Sequence, residues 1–573
     1  MSHTPNYDAK VKMILDATTL GERVCPISGE TWKCTQEEID WWRKFNVPPT
    51  DVSPMARRRW LTGFNLGLEM WWNKDMLSGE KILSYVHPDN KIQVVEDTRW
   101  YAEDWSSRVS VEPDASKSFF EQMRILNKGV PIPALRTYNP PINTVGAGLI
   151  SVEDSFMVFA VLNTKRSAYG WLLDGMEGCQ DIFFGYTSTD SFCVNHVERL
   201  HNCRVVLQSQ DCFNSSFLFD CRNCEHVFGG FNLRNRQYIW WGEQLSQGEW
   251  EKRAKGVDLK SWKTFSENID RFLKRLDGEA VWPENFNIRA EDSSGEYLVR
   301  CLRAHHAFGV NDGTDFYQAQ ISHNGCERCA HSSGFTASSD LYMVAGASSC
   351  SNIKFSSNCG TSRNLEYCMQ SYNCEDCFGC VGLNRKKFCI LNQQYDEDEY
   401  WRKLDEVKCA MLERGEYGRY LPGDFSPAGI EFSTANFFDY PEREMEAIGA
   451  VRFDPSVGAV QDASNMTDPE TLPDHLDNGE EYVGKPLIDK ELGRAFAVRR
   501  DDYKFYQKLG LPFPRRHYIT RVRSLARMAN TFTSSERACA NCSKSITVAD
   551  NLTFKNRKVY CYGCYLEYLE TRG

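Results

Sequence analysis

Residues 373–380 read Asn-Cys-Glu-Asp-Cys-Phe-Gly-Cys, and this stretch has an echo earlier in the chain. An ungapped step of 150 positions, from 373 back to 223, finds Asn-Cys-Glu at 223–225 and Phe-Gly at 228–229. The register continues beyond both copies in the pairs Leu233 and Leu383, Gln244 and Gln394, and Glu249 and Glu399. The chain therefore contains an internal duplication, and such repeats indicate repeated structural units.

Cysteines around this stretch recur every nine residues. They are Cys203, Cys212 and Cys221 in the first copy, and Cys350, Cys359, Cys368 and Cys377 in the second. Asn or Asp often precedes the cysteine, and both residues tolerate left-handed backbone at turns. A nine-residue period fits a β-solenoid in which two strands and two turns form a coil of about 18 residues. Small Cys side chains would stack inside it at the inter-strand spacing of about 4.8 Å.

The two ends of the chain also match each other, at a constant offset of 464 positions. The matched pairs include Gly29 and Gly493, Trp32 and Phe496, Glu38 and Asp502, Arg57 and Arg521, and Tyr101 and Tyr565. In the first of these terminal modules, Thr35 and Glu38 form a capping-box pattern before a helix that should stop ahead of Pro48. A pair of related modules thus flanks the duplicated centre.

These patterns predict a mainly β fold with flanking α: a duplicated β-solenoid (β-helix) centre between two related zinc-ribbon-like α+β modules. A helix should seal each solenoid half, capped by Ser246 in the first half, where it would continue to Leu276, and by Asp396 in the second. The predicted domains are an N-terminal degenerate ribbon module (1–110), a connector (111–168), a first solenoid half with its helix (169–277), a second half with its helix (278–410), an extended connector (411–484) and a C-terminal zinc-ribbon module (485–573).

Composition limits the class of protein. The net charge of -11 argues against a general affinity for nucleic acid, which would need a local basic surface. The sequence has no apolar run of about 18 residues, so no membrane span is expected. Residues 1–17 lack the apolar core of a signal peptide. The 23 cysteines are odd in number and lie in apolar or metal-like patterns. They favour free thiols in a reducing compartment, so we expect an intracellular (cytosolic) protein or one assembled in a virion.

The clearest chemical signal is a pair of Cys-x2-Cys motifs near the end of the chain. The motifs are Cys539 with Cys542 and Cys561 with Cys564. Four thiolates at this spacing are typical of one closed, structural Zn²⁺ site, which stabilises the fold and has no open position for catalysis. The segments 546–548 and 558–560 between the motifs have the composition of the ribbon's two strands.

The first module should lack this metal site. The offset of 464 places Asp75, Ser78, Asp97 and Trp100 at the four ligand positions, and tryptophan does not bind zinc. We expect packing to replace the metal, with Trp71, Trp72, Trp100 and Trp105 as the filling. A hard-metal site at Asp75 and Asp97 stays open as an alternative to solvent-exposed carboxylates, and so does a remnant site at Cys25 and Cys34.

Arginines recur at matching places in the two modules. The candidates for contacts with phosphate or with an acidic partner are Arg57, Arg59, Arg515, Arg516, Arg521 and Arg523. Because an arginine fork suits carboxylates and phosphates alike, three roles are open: bracing acidic side chains inside each module, contacting nucleic-acid phosphates, or docking an acidic protein.

Two further clusters have a structural and a functional interpretation. Cys374, Cys377, Cys380 and Cys389, or Cys326 with Cys329, have metal-like spacing, but the first copy has Val227, Gly230 and Ile239 at three of these positions. That replacement favours core packing, since a buried free Cys behaves as a small apolar residue. A second cluster could serve a hydrolase on one solenoid face, as in polysaccharide enzymes; it comprises His305, His306, Asp312, Asp315 and His323.

Almost the whole chain resembles an uncharacterised family of Cys-rich proteins from reduced-genome bacteria and from large phages and viruses, whose members are sometimes labelled CoA-transferases. The resemblance rests on residues 373–395, on Phe-Phe-Glu-Gln at 119–122, on Leu-Pro-Phe-Pro-Arg at 511–515 and on the closing motifs at 539–564. It implies no reaction. Family members are richer in zinc knuckles, and this chain departs from them near positions 53–56, 75–78 and 97–100. The viral setting implies a structural role in a particle.

The sequence therefore predicts a non-enzymatic scaffold that joins components of a large assembly. Protein partners are expected, and the oligomeric state is left open. A nucleic-acid-associated zinc-ribbon factor is the first alternative, and a carbohydrate-active β-solenoid enzyme is the second.

Overall fold

A computed structural model describes residues 2–137, 141–170, 173, 175–183, 187–195, 198–322, 327–331, 341–346, 353–355 and 357–572. Three residues named above, His323, Cys326 and Cys350, lie outside these ranges. The chain divides into two compact units. Unit 1 comprises Met1–Leu135 and Asn287–Phe453, and unit 2 comprises Arg136–Phe286 and Asp454–Gly573. Each unit combines one terminal module with one copy of the duplicated centre.

The fold is mixed α/β with many sheets. The α-helices of the described residues are α1 (Pro5–Asp16), α2 (Gln36–Phe45), α3 (Pro54–Thr62), α4 (Asp97–Ala102), α5 (Phe119–Gly129), α6 (Gln247–Lys255), α7 (Trp262–Gly278), α8 (Glu397–Glu413), α9 (Glu442–Ala447), α10 (Arg500–Leu509), α11 (Tyr518–Met528) and α12 (Tyr562–Arg572). No helix in these ranges is both long and apolar enough to cross a membrane.

The strands before α8 are β1 (Gly21–Val24), β2 (Thr31–Cys34), β3 (Trp71–Lys74), β4 (Lys81–Ser84), β5 (Val94–Val95), β6 (Ile132–Pro133), β7 (Val145–Ile150), β8 (Phe156–Leu162), β9 (Phe192–Asn195), β10 (Glu198–His201), β11 (Arg204–Leu207), β12 (Gln210–Phe213), β13 (Ser216–Phe219), β14 (Arg222–Phe231), β15 (Gln237–Trp240), β16 (Glu243–Gln244), β17 (Val281–Pro283), β18 (Gly295–His305), β19 (Ala307–Tyr317), β20 (Gln320–Ser322), β21 (Glu327–Ala330), β22 (Ser357–Gly360), β23 (Arg363–Glu366), β24 (Met369–Tyr372), β25 (Glu375–Phe378), β26 (Lys387–Ile390) and β27 (Gln393–Gln394). After α8 come β28 (Leu487–Asp489), β29 (Arg494–Phe496), β30 (Asn530–Ala538), β31 (Ser545–Asn551) and β32 (Lys558–Tyr560).

The first parallel region, β7 to β15, is built on a register of twelve residues. Cys212 pairs with Cys224, and Leu218 pairs with Gly230, both in parallel ladders. β14 pairs with β12 through its first half and with β13 through its second, so the sheet curls. The predicted coil of about 18 residues is therefore wrong, because parallel partners lie 12 positions apart, from 212 to 224.

Backbone conformation repeats within this register. Every third residue from 199 to 241 has a left-handed φ, including Asn202, Asp211 and Asp220 as predicted for turns, and also Val205 and Phe217. A non-Gly residue in this conformation costs roughly 1 kcal/mol, a cost that the inter-strand hydrogen bonds must offset. The chain thus changes direction every three residues, four times in each span of twelve.

From Arg199 to Gly229, the residue after each left-handed position is buried, and the space available to it is narrow. One span of twelve buries Cys212, Ser215, Leu218 and Cys221. In the next span, a Cβ added to Gly230 would lie 2.6 Å from the nearest atom of Val227. Because four large side chains cannot share this space, small residues must alternate with Leu, Val and Ile. This confirms that the cysteines here are core packing residues.

Cysteine and serine also satisfy backbone groups inside the region. The sulfur of Cys212 lies 3.2 Å from the carbonyl oxygen of Gln210 and 3.5 Å from that of Cys221, so its one proton has two possible acceptors. The Ser209 hydroxyl donates to the Leu207 carbonyl and accepts from the N–H of Cys221, both at 3.0 Å. The thiols must be protonated to donate, and burial raises the pKa of Cys203 to about 11. Free, reduced thiols therefore suit this core.

The second parallel region, β18 to β26, has the same register. Leu298 pairs with Val310, and Cys377 with Cys389. One buried cluster contains six thiols, those of Cys359, Cys368, Cys374, Cys377, Cys380 and Cys389. Both regions end alike, because β15 and β26 each pair with a short antiparallel strand, β16 or β27.

A capped helix follows each parallel region. Ser246 accepts from the N–H of Glu249 at the start of α6, and Asp396 accepts from the N–H of Glu399 at the start of α8, which confirms both predicted caps. The prediction of one continuous helix from Ser246 to Leu276 is wrong, because the chain forms two helices there, α6 and then α7. In unit 1, residues of the predicted connector such as Tyr420 and Phe425 are fully buried.

We expect Ser209→Ala to lower the free energy of unfolding by about 1–3 kcal/mol, because a buried N–H and a buried carbonyl each lose a partner. Urea denaturation monitored by circular dichroism measures this loss. The neighbouring Gln210→Ala serves as the control, with a change within about 0.5 kcal/mol. Equal losses for the two variants would contradict the assigned role of the buried hydroxyl.

Candidate metal centre and buried charge clusters

Four thiols meet near the end of unit 2. The ligand atoms of Cys539, Cys542, Cys561 and Cys564 all lie within 4.8 Å of one another, so the group could hold a metal ion. Cys539 follows β30, Cys561 follows β32, and Cys564 lies in the first turn of α12. Among the described residues, no other group of three or more His, Cys, Asp or Glu side chains meets this criterion.

The local backbone prepares the first thiol as a ligand. The Cys539 sulfur accepts from the N–H of Cys561 at 3.2 Å. Burial alone would raise the pKa of Cys539, but the backbone N–H groups of Cys542, Cys561 and Asn541 lower it to about 6. Since the thiolate is the form that binds a metal, this environment favours coordination.

The strands around the site differ from the predicted ribbon. Segments 546–548 and 558–560 are both in strands, β31 and β32, as expected. They do not pair with each other, however. β31 pairs antiparallel with β30, and β32 pairs parallel with β17, in which Val281 faces Lys558. The pairing with β17 therefore places β32, and the two cysteines that follow it, beside the segment after α7, a long-range pairing that local sequence does not reveal.

The turn that begins at Cys539, called a frame below, occurs four times in the described part of the chain. In each copy the N–H of the fifth residue donates to the carbonyl of the first, at 2.8 to 2.9 Å. The first residues are Cys25, Asp75, Asp489 and Cys539, and the fifth residues, all with left-handed φ, are Gly29, Gly79, Gly493 and Ser543. The first residue of each turn accepts a hydrogen bond from the backbone N–H just before a later helix: α3, α4, α11 or α12. The sequence predicts one such frame in each module, at Asp75 and Cys539. The second frame in each module, at Cys25 and Asp489, was not predicted, although a Gly four residues after the Cys or Asp marks it.

In two of the other frames, a carboxylate that accepts several hydrogen bonds takes the place of a metal ligand. The carboxylate of Asp75 accepts from the N–H groups of Leu77, Ser78 and Glu96 and from the Ser78 hydroxyl, at 2.7 to 3.0 Å. Burial would raise the pKa of Asp75, but these backbone and side-chain donors hold it below its ordinary value. The carboxylate thus stands in for a metal by binding the turn and the chain before α4 at once.

Asp489 does the same in unit 2. It accepts from the N–H groups of Glu491, Leu492 and His517 and from the Thr520 hydroxyl, at 2.9 to 3.2 Å. It is fully buried. Burial would raise its pKa, but the His517 N–H and the other donors lower it.

Packing completes the first module, as predicted, with one exception. Trp71, Trp100 and Trp105 are buried, whereas Trp72 is 59% exposed, so the prediction for Trp72 is wrong. The other expected ligand position, Asp97, accepts from the N–H of Leu135 at 2.9 Å. Cys25 and Cys34 are both buried free thiols.

The matching arginines Arg57 and Arg521 lie in buried charge clusters. In unit 1, Arg57 is fully buried and binds Glu38 and, at 3.0 Å, the Nε2 atom of His331. Tyr317 donates to the same Glu38 at 2.6 Å. These contacts join the first module to the second parallel region within unit 1, and they engage Glu38 instead of leaving it to complete the predicted capping box.

The cluster in unit 2 has the same plan with different residues. Arg521 binds Asp181 at 3.0 Å, and Tyr169 donates to Asp502 at 2.7 Å. Arg499 binds Asp502 through Nε and Nη2, at 3.0 and 2.8 Å. Buried charges of this kind must be paired, because an unpaired one would cost several kcal/mol.

The four remaining arginine candidates differ in how far they are buried and in what they bind. Arg59 binds Glu444 with two bonds of 2.6 Å, and Arg515 donates to the carbonyls of Leu472, at 3.0 Å, and Pro473, at 2.9 Å. The Nε atom of Arg523 is buried, and Arg516 is exposed.

Three described residues of the cluster considered for a hydrolase form ion pairs. Asp312 pairs with Arg300 and Asp315 with Arg303, each at 2.5 Å and twelve positions along the chain. His305 binds Glu37 at 2.6 Å. The carboxylates therefore neutralise neighbouring arginines along the surface of the second parallel region.

The chain was compared with known proteins. No protein-family model, curated protein or solved structure matches it.

We expect Asp489→Asn to lower the free energy of unfolding by about 1.5–3 kcal/mol, because an amide replaces a carboxylate that accepts four hydrogen bonds. The folded-state pKa of Asp489 is lowered, so its contribution is present above the unfolded pKa of about 3.9 and is lost as the pH falls through the folded value. Urea denaturation at pH 7 and pH 3 measures both effects.

The exposed Asp270→Asn in α7 is the matched control, with a change within about 0.5 kcal/mol. An Asp489→Asn variant as stable as the control at pH 7 would show that the carboxylate does not fasten the frame.

Proposed function

We propose that the protein is a non-enzymatic scaffold that joins components of a large assembly, with a viral particle as the setting that the family resemblance favours. The observation that carries this proposal is the internal use of the candidate reactive groups. Asp312, Asp315 and His305 are ion-paired, Arg57 and Arg521 bind buried carboxylates or histidine, and the thiols of the parallel regions pack inside them. A hydrolase would need carboxylates available to a substrate.

In this proposal each parallel region is one half of a duplicated β-solenoid with a coil of twelve residues. The parallel register of twelve, the left-handed residue at every third position and the narrow buried interior support it. Such a fold has a rigid surface in which ion pairs repeat from coil to coil, as between Arg199 and Asp211. Rigid, extended surfaces of this kind suit a protein that positions others.

The metal of the proposal is one structural Zn²⁺ held by Cys539, Cys542, Cys561 and Cys564. Four sulfur donors within 4.8 Å match the donor set that zinc prefers in closed sites. Its task would be to hold α12, whose Tyr565 bonds with Asp220 of the first parallel region. The site would thus fasten the second module to the centre of unit 2.

The contact surface that we propose for a partner lies in the first module. Large apolar side chains there are exposed: Met13 (69%), Leu20 (56%) and Val24 (64%) all fall within residues 13–24. Apolar groups that are close in sequence and open to solvent favour a protein contact. The internally bonded arginines give less support to the nucleic-acid alternative, for which Arg516 is the exposed candidate.

We expect purified protein to contain about one zinc per chain by elemental analysis. Cys561→Ser should remove it, because three thiolates and a hydroxyl bind zinc more weakly, whereas Cys409→Ser, which alters a thiol outside the site, should leave it. Three or more zinc ions per chain would show that thiols of the parallel regions also bind metal.

We expect the native protein to elute from size exclusion, with light scattering, at a mass well above the 65.9 kDa of one chain. Met13→Lys combined with Val24→Lys should lower that mass, because charge opposes burial of this surface. Val451→Lys, at another exposed valine, is the control and should not. A strict monomer in lysate as well as after purification would contradict the scaffold proposal.

A further inference from the structure

Unit 2 contains a cavity of about 240 Å³ that the proposed scaffold function does not use. Phe156 and Tyr169 line it from the first parallel region, and Arg499, Asp502 and Tyr518 line it from the second module. It is smaller than the ~300 Å³ at which pockets for drug-sized ligands begin, so it suits a ligand of one ring or two fused rings.

Flat groups form its walls. The guanidinium carbon of Arg499 lies 3.8 Å from the centre of the Phe156 ring. The rings of Tyr169 and Tyr518 are stacked, with 5.2 Å between their centres and 22° between their planes. Stacked aromatic and guanidinium surfaces favour a planar ring as the ligand.

The cavity's carboxylate is saturated by protein donors. Asp502 accepts from the Tyr169 hydroxyl, the Gln180 amide and three nitrogens of Arg499, at 2.7 to 3.1 Å. It therefore has little capacity left to bind a cationic or hydroxyl-bearing ligand.

The arginines and the carboxylate that line the cavity are also paired within the protein. Two guanidinium groups, those of Arg499 and Arg521, face two carboxylates, those of Asp502 and Asp181. Burial and the neighbouring arginines lower the pKa of His517 to about 3, so this histidine is neutral at pH 7. A ligand of no net charge fits this environment better than an ion, which would have to be buried without a counter-charge.

Some hydrogen-bonding groups beside the cavity remain available. Arg499 uses its backbone N–H, Nε and Nη2 on Asp502, and none of these bonds uses its Nη1. Ala497, which is exposed, makes no backbone hydrogen bond with any other described part of the chain. Beside the cavity, Arg499 and Ala497 thus offer N–H donors and one carbonyl acceptor to a ligand.

We propose that this cavity binds a nucleobase that carries a carbonyl oxygen next to a ring N–H. Such a base is planar and uncharged, and it is small enough for the cavity. Its carbonyl oxygens would accept from Arg499 and from the Ala497 N–H, and its ring N–H would donate to the Ala497 carbonyl. A phenol offers a planar ring but not this alternation of acceptor and donor.

The test is titration of the full-length protein with uridine, followed by saturation-transfer NMR. Arg499→Lys and Phe156→Leu should each weaken binding roughly tenfold, because each removes one wall of the stack. Arg271→Lys is the matched control and should leave binding unchanged, since Arg271 also stacks on an aromatic ring, that of Trp241 at 4.2 Å, but outside the cavity. Circular dichroism establishes that the variants are folded.

Two further probes separate the possible sources of such a ring. A six-nucleotide oligouridine that binds more tightly than uridine, and still depends on Arg499, would assign the base to a single-stranded nucleic acid; equal affinities would assign it to a free nucleoside. N-acetyltyrosinamide represents the aromatic side chain of a protein. The proposal is overturned if uridine does not bind at about 5 mM, if both cavity variants bind it as well as the wild type, or if the tyrosine probe binds more tightly.

Discussion

The narrow interior of the parallel regions constrains everything built around them. Twelve residues per register step place four side chains in a space where even a methyl group on Gly230 would clash. Such an interior cannot be filled by large apolar residues, and it brings backbone carbonyls and N–H groups close to the buried side chains. Cysteine and serine meet both demands, because they are small and can bond the backbone, as Cys212 and Ser209 do. The high cysteine content follows from this geometry and needs no redox or metal function.

The terminal modules depend on a second constraint, which is that each turn must be fastened to the helix that follows it. Four frames share one backbone geometry and use different chemistry for the fastening. Cys539 belongs to a four-thiol group, whereas Asp75 and Asp489 use a carboxylate that accepts four hydrogen bonds. A carboxylate and a metal can exchange places here because each binds several groups at one point. Loss of ligands from a frame therefore need not mean loss of its fold.

Sequence was informative where the determining contacts are local or repeated. The duplication, the caps at Ser246 and Asp396 and the grouping of the four C-terminal cysteines all depend on short spacings. The coil length was mispredicted because the nine-residue period of the cysteines is not the strand register. The thiol of Cys203 donates to the carbonyl of residue 212, nine positions on, while strands pair twelve positions apart. Arg57 binds Glu38 of its own module, which is one of the three roles that the sequence left open. The partners in the parallel regions, His331 for Arg57 and Asp181 for Arg521, could not be predicted, because only the tertiary fold brings those segments together.

The two charge clusters show how the duplicated units diverged without leaving a buried charge unpaired. Offsets of 464 and 150 place Thr35 at the position of Arg499 and His331 at the position of Asp181. Unit 1 thus lacks the cation of Arg499 and the anion of Asp181. His331 adds no charge, because burial and the nearby arginines keep its pKa well below the ordinary value and the ring is neutral. Each carboxylate of the two clusters binds an arginine: Glu38 binds Arg57 in unit 1, and Asp502 and Asp181 bind Arg499 and Arg521 in unit 2. A substitution at one of these two positions alone would leave a buried charge unpaired, at a cost of several kcal/mol. Unit 2 keeps the extra arginine, and with it a guanidinium nitrogen that the bonds to Asp502 do not use.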